Sequence, residues 1–123
     1  MYQPYSKPLI LMPSISISGP KNSILAFTEA GWVKGAALRC EAKTLGEAVR
    51  HYETSFLCAI RPCERLLPGQ SELRYFDFSD TSNELNGMVD IHVLRSGLEI
   101  CPKQDLSFLL EESDHVEIGL LAC

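Results

Sequence analysis

DIHVLRSGLEI (residues 90–100) runs on through CPKQDLSFLLEESDH (101–115) into VEIGLLAC (116–123). Val89, Ile91 and Val93 alternate with Asp90, His92 and Leu94, the period-two pattern of a half-buried strand. Ser96-Gly97 supplies a hairpin turn, and Leu98 and Ile100 return as a short strand that Pro102 ends. Residues 105–110 are short and apolar, a single helical turn that seats Leu106 and Leu109 or Leu110 in the core. Residues 111–114 read as a charged turn, and the pair Glu111 and Glu112 as a solvated loop rather than a general acid and base. Val116, Ile118 and Leu120 then alternate with His115, Glu117 and Gly119 in a last strand.

The rest of the chain adds a second readable unit. Residues 22–32 read as a strand that Ala30-Gly31 ends, and 36–43 as the next, with Ala36, Leu38, Cys40 and Ala42 on its apolar face. Cys40 is expected to be a buried structural thiol. Thr44-Leu-Gly-Glu47 is a capping box, with Glu47 reaching back to the Thr44 amide. Leu45, Ala48, Val49, Tyr52 and Phe56 follow at helical spacing, which predicts a helix over 45–55. Prolines at 4, 8, 13 and 20 forbid a helix in residues 1–22, which read as an extended arm with a short edge strand over 14–18. Residues 57–88 are the least patterned. Residues 73–78 alternate as a strand, and Asn86-Gly87 marks a turn.

Composition excludes several classes. At 123 residues the chain suits one domain with a real core, and 46% hydrophobic with 22% charged residues is ordinary for a globular protein. A net charge of -5 with scattered Lys and Arg argues against nucleic acid as a partner. No apolar run is long enough to cross a bilayer, and the run over 9–12 is too short for a secretory core. Five cysteines (Cys40, Cys58, Cys63, Cys101 and Cys123), odd in number and without a Cys-x-x-Cys pair, suit free thiols in the cytoplasm. His51, Cys58 and Cys63 lack further ligands at zinc spacing, so no metal and no cofactor is expected. No phosphate loop or hydrolase motif occurs. A thiol nucleophile could be assembled only from Cys58, Cys63 or Cys123 with His51, His92 or His115. None has a neighbour that activates it, so no catalytic residue is assigned.

Three stretches carry a resemblance. The hairpin over 24–43 leading into the capped helix, the strand-turn-strand over 91–100 and the ending over 105–118 together resemble the β-grasp, ubiquitin-like superfamily. Within it the chain is similar to bacterial ubiquitin-like modifiers, to sulfur carriers and to lambda-like phage tail-assembly proteins of the I type. The resemblance implies an α+β fold, a mixed sheet of about five strands packed on one main helix. Residues 1–22 are then an N-terminal arm and 23–123 the β-grasp domain, with 57–88 an inserted or decorated region. It implies a modifier or carrier of a conjugation-type pathway, attached through Ala122 and Cys123 after an activating, adenylating enzyme acts on the terminal carboxylate. The family's ending is Gly-Gly, because glycine alone threads a narrow activating site, whereas this chain reads Gly119-Leu-Leu-Ala-Cys123. The alternative is a non-conjugated scaffold that meets an assembly partner, as in phage tail assembly. In either case the resemblance places partner docking at Leu94, Ser96, Gly97 and Leu98.

Overall fold

In the computed structural model the described residues are 12–21, 25–28, 31–34, 37–81 and 86–121, with backbone alone for 25–28 and 31–34. Nine strands and one helix follow in the order β1 (Ser14–Ser18), β2 (Leu25–Thr28), β3 (Gly31–Lys34), β4 (Leu38–Glu41), α1 (Leu45–Phe56), β5 (Cys58–Pro62), β6 (Phe76–Asp80), β7 (Asn86–Arg95), β8 (Leu98–Ile100) and β9 (His115–Leu120). The main sheet has the order β4-β1-β9-β7-β6-β5, with β8 added to β7, and β2 and β3 form a separate two-stranded sheet. All its pairings are antiparallel except β1 with β9.

This order overturns the β-grasp expectation. The protein is mostly β, a curled half-barrel of six to seven strands with one short helix, not five strands on a main helix. Two segments account for the difference. Ser14–Ser18, read as an edge strand of an arm, is an interior strand between β4 and β9. Residues 57–88, read as an insertion, supply β5 and β6, which extend the sheet beyond β7. The single strand expected over 22–32 is instead the β2–β3 hairpin.

One face of the sheet forms the core. Ile15 and Ile17 of β1, Val116 and Ile118 of β9, Val89, Ile91 and Val93 of β7, Phe76 and Phe78 of β6 and Ile60 of β5 are all buried. They meet Leu45, Ala48, Val49 and Tyr52, the i, i+3, i+4, i+7 stripe of α1. The helix touches both β4 and β5, the two ends of the strand order, so the sheet curls around it.

The helix begins as the capping residues require. Thr44 Oγ1 accepts from the Glu47 amide at 3.2 Å. Glu47 Oε1 reaches the amide of Lys43, at 2.7 Å, not that of Thr44. The next two amides are taken by the segment expected to be a helical turn: Leu45 N–H donates to Phe108 O and Gly46 N–H to Leu106 O. Residues 105–110 therefore cap α1 from outside. Leu110 enters the core, while Leu109 stays exposed.

Tyr52 marks where β1 leaves the sheet. Its ring is fully buried, and its hydroxyl accepts from the Lys21 amide at 2.8 Å. A Cβ on Gly19 would lie 2.6 Å from that ring, so only glycine lets the chain pass. Lys21 then pairs with buried Asp80 of β6 at 2.7 Å. Cys40, expected to be buried, is half-buried on edge strand β4. Cys58 is buried at the start of β5, where desolvation and the charge of Glu53 push its thiol up to about 11.

Two outcomes test this packing. Gly19→Ala should cost about 1–3 kcal/mol in urea unfolding through overpacking against Tyr52, whereas Gly119→Ala, whose new Cβ would have 4.0 Å of clearance, should be near neutral. Equal effects would contradict the passage of β1 over the helix. Cys58 has a folded pKa of about 11 against an ordinary 9.0, so folding favours its neutral form. The stability this contributes is complete below pH 9.0 and is lost as pH rises toward about 11. Cys58→Ala should flatten that alkaline decline, and an unchanged slope would count against the burial of the thiol.

Candidate functional site

The β7–β8 hairpin brings the chemistry-bearing side chains together. β7 is ten residues long and pairs with β9 on one side over Val89 to Leu94. On its other side it changes partner: β6 covers residues 86–89 and β8 covers 93–95. Where the two neighbours part, Asp90 and His92 project from the face opposite Val89, Ile91 and Val93.

The turn sets what faces them. Ser96 and Gly97 both have positive φ, 50° and 82°, as a two-residue type I′ hairpin requires. Arg95 then pairs with Leu98 and Val93 with Ile100, so the next residue, Cys101, arrives beside His92. A carboxylate oxygen of Asp90, a ring nitrogen of His92 and Cys101 Sγ lie within 4.8 Å of one another. From the β6 side Arg74 donates to Asp90 Oδ2 through Nε at 3.1 Å and Nη2 at 2.7 Å. That hydrogen-bonded charge holds the Arg74 guanidinium above its ordinary pKa. Arg74 Nη2 is also 3.4 Å from His92 Nε2, while His92 Nδ1 faces Glu99 Oε2 at 3.5 Å. Asp90 is 6% exposed, and its Oδ1 has no hydrogen-bond partner. Gln104 stiffens the notch by donating to both Cys63 O and Tyr75 O.

The hairpin tip is built differently. Leu98 is 67% exposed and Ser96 and Gly97 are exposed, while Leu94 is half-buried between His115 and Glu99. Arg95 anchors the tip. It donates from Nε and Nη2 to the two oxygens of Asp114 at 3.0 and 2.8 Å, and from Nη2 to Leu109 O. Its guanidinium also lies over the Phe108 ring at 5.4 Å. Leu109, 63% exposed, therefore flanks the same anchor as Leu98, and Glu111, 3.2 Å from Arg95 Nη1, stands beside them, while Glu99 faces His92 on the opposite face of the hairpin.

Among the described residues, the thiol–histidine pair that assembles is not one of those considered from sequence. Cys58 is buried with a raised pKa, and His51 is exposed on α1. His115 is clamped between Ser16 Oγ at 2.7 Å and Ser18 Oγ at 2.9 Å. Cys123 and Ala122 lie outside the described residues. The cysteine that meets a histidine is Cys101, and its signal was hairpin arithmetic: with a two-residue turn at 96–97, position 92 falls opposite 101. A concavity of about 1270 Å³ forms an open groove beside α1. Within it Glu53 is held by Arg61 and the Ile60 amide and Glu47 by the Lys43 amide, while Arg50 and His51 are exposed along its rim.

The anchor makes a sharp prediction. Asp114→Ala leaves Arg95 partly buried without its partner, at a cost of about 3–5 kcal/mol by urea unfolding. A loss below that of an ordinary exposed salt bridge would show that the hairpin tip is held by something else.

Comparison with known proteins returned no match: no family model, no curated protein and no solved structure resembles this chain.

Proposed function

We propose that this chain is a non-catalytic interaction module that presents the tip of its β7–β8 hairpin to a partner protein. The observation that carries the reading is the pair of exposed leucines, Leu98 and Leu109, set on either side of the Arg95–Asp114 anchor. Apolar side chains on a rigid support lose little entropy when a pocket closes over them, which suits an interface centre. Glu111, 65% exposed beside Arg95, sets an acidic rim, so the partner surface is an apolar pocket edged by Lys or Arg. Leu94, Ser96, Gly97 and Leu98, the docking residues expected from sequence, all belong to this hairpin.

A modifier activated through Cys123 drew its support from the β-grasp likeness, and the strand order withdraws that support. The non-conjugated scaffold with an assembly partner depends only on a rigid surface. The described residues contain no helix long and apolar enough to cross a membrane.

The test places a photo-crosslinking residue at position 98, and a control at position 39 on β4, in the cells that make the protein. The crosslinked partner is identified by mass spectrometry, purified and titrated. Leu98→Asp should weaken its binding by about 10-fold or more, with an unchanged urea midpoint. Raised salt should slow association through the acidic rim. A partner that binds wild type and Leu98→Asp equally, or crosslinking no stronger at 98 than at 39, would overturn the proposal.

A further inference from the structure

We propose that Asp90, His92 and Cys101 form a binding site for a zinc-class transition-metal dication. The inference is separate from partner docking and rests on the base of the hairpin rather than its tip.

The donor set is mixed: a carboxylate, an imidazole and a thiol within 4.8 Å of one another. Thiolate and imidazole select zinc and its neighbours over magnesium and calcium, which prefer all-oxygen shells. Zinc bonds of about 2.0–2.3 Å put tetrahedral donors about 3.5 Å apart. His92 Nε2 already stands 3.5 Å from Oδ2 of the Asp90 carboxylate, the oxygen that Arg74 holds, and the metal takes the sister oxygen Oδ1 of the same group. Bringing Cys101 Sγ to that spacing takes a side-chain movement of about 1 Å, within ordinary rotamer adjustment.

The second observation is the orphan oxygen. Asp90 Oδ1 is buried and unpartnered, although its sister Oδ2 takes two hydrogen bonds from Arg74. A buried acceptor left unsatisfied costs about 1–3 kcal/mol. A ligating carboxylate commonly has one oxygen on the metal and the other held by a donor. Arg74 supplies that donor here, and Oδ1 is the oxygen it leaves over.

Charge also balances. Metal binding releases the Cys101 thiol proton to solvent as the sulfur–metal bond forms. Asp90, Glu99 and the Cys101 thiolate then carry three negative charges against the dication and Arg74. Glu99, 60% exposed, faces the other ring nitrogen of His92, Nδ1, at 3.5 Å, and so orients the ring with Nε2 toward Asp90.

The experiment uses the full reduced chain with Cys123→Ser, so that the thiol outside the described residues does not contribute. Zinc is titrated against a chromophoric chelator, and cobalt(II) is titrated separately. The expected result is one dication per chain, with a cobalt thiolate charge-transfer band and no competition from excess magnesium. Cys101→Ser should remove the band, and His92→Gln should weaken zinc binding by about 100-fold. Circular dichroism and the urea midpoint check that both variants fold. His92→Gln, at a partly exposed position, decides the matter should Cys101→Ser unfold. Failure of the wild type to bind one equivalent, or binding that persists at full affinity in the folded variants, would overturn the site.

Discussion

The corner around Asp114 holds the architecture together. Its side chain is 1% exposed, accepts two hydrogen bonds from Arg95 and one from the Glu111 amide, and its carbonyl receives the Ser16 amide. Four parts of the chain meet there: the end of β7, the segment that caps α1, the start of β9 and the middle of β1. A buried carboxylate is tolerable only when its oxygens are fully engaged, and here Arg95 of β7 and the Glu111 amide engage both of them. The backbone of the same residue fixes register. Ser16 lies opposite His115 because Asp114, one residue before, already holds the Ser16 amide.

The same strand, β7, explains why polar chemistry gathers in one place. β7 is paired along one side only in two pieces, and the interval between β6 and β8 admits Arg74 from above and Cys101 from below. The tip beyond the interval is apolar and exposed. One hairpin thus carries two surfaces of different character, separated by residues 93 to 95, where β8 pairs with β7.

Much of the local structure was legible in the sequence, because its causes are local. The capping box and apolar spacing place α1 within one residue of its observed end at Phe56, and Ser96-Gly97 places the turn. The long-range arrangement was not legible. Ile15 and Ile17 alternate with serines, a pattern that fits an edge strand facing water as well as an interior strand whose outer face is polar. On that outer face Ser16 and Ser18 meet His115, a partner nearly a hundred residues later that no window along the chain contains. Residues 57–88 resisted reading because β5 and β6 are joined through an irregular stretch rather than a short turn. At the site, Cys101 beside His92 follows from turn arithmetic, while Arg74 reaches Asp90 only because β6 pairs where it does.

The parallel pairing of β1 with β9 has a consequence for how the protein is made. Ser16 and His115 stand 99 residues apart in sequence, yet they are neighbours in the finished sheet. A ribosome releases β1 long before β9 exists. Ile15 and Ile17 therefore wait in the nascent chain with a partner strand, β4, on one side and none on the other. Contacts that span so much chain form late and slowly. During that wait, an apolar strand with one unpaired edge is open to pairing with another chain. The serines between the isoleucines lower the hydrophobicity of that edge during the interval, and the same hydroxyls later clamp His115.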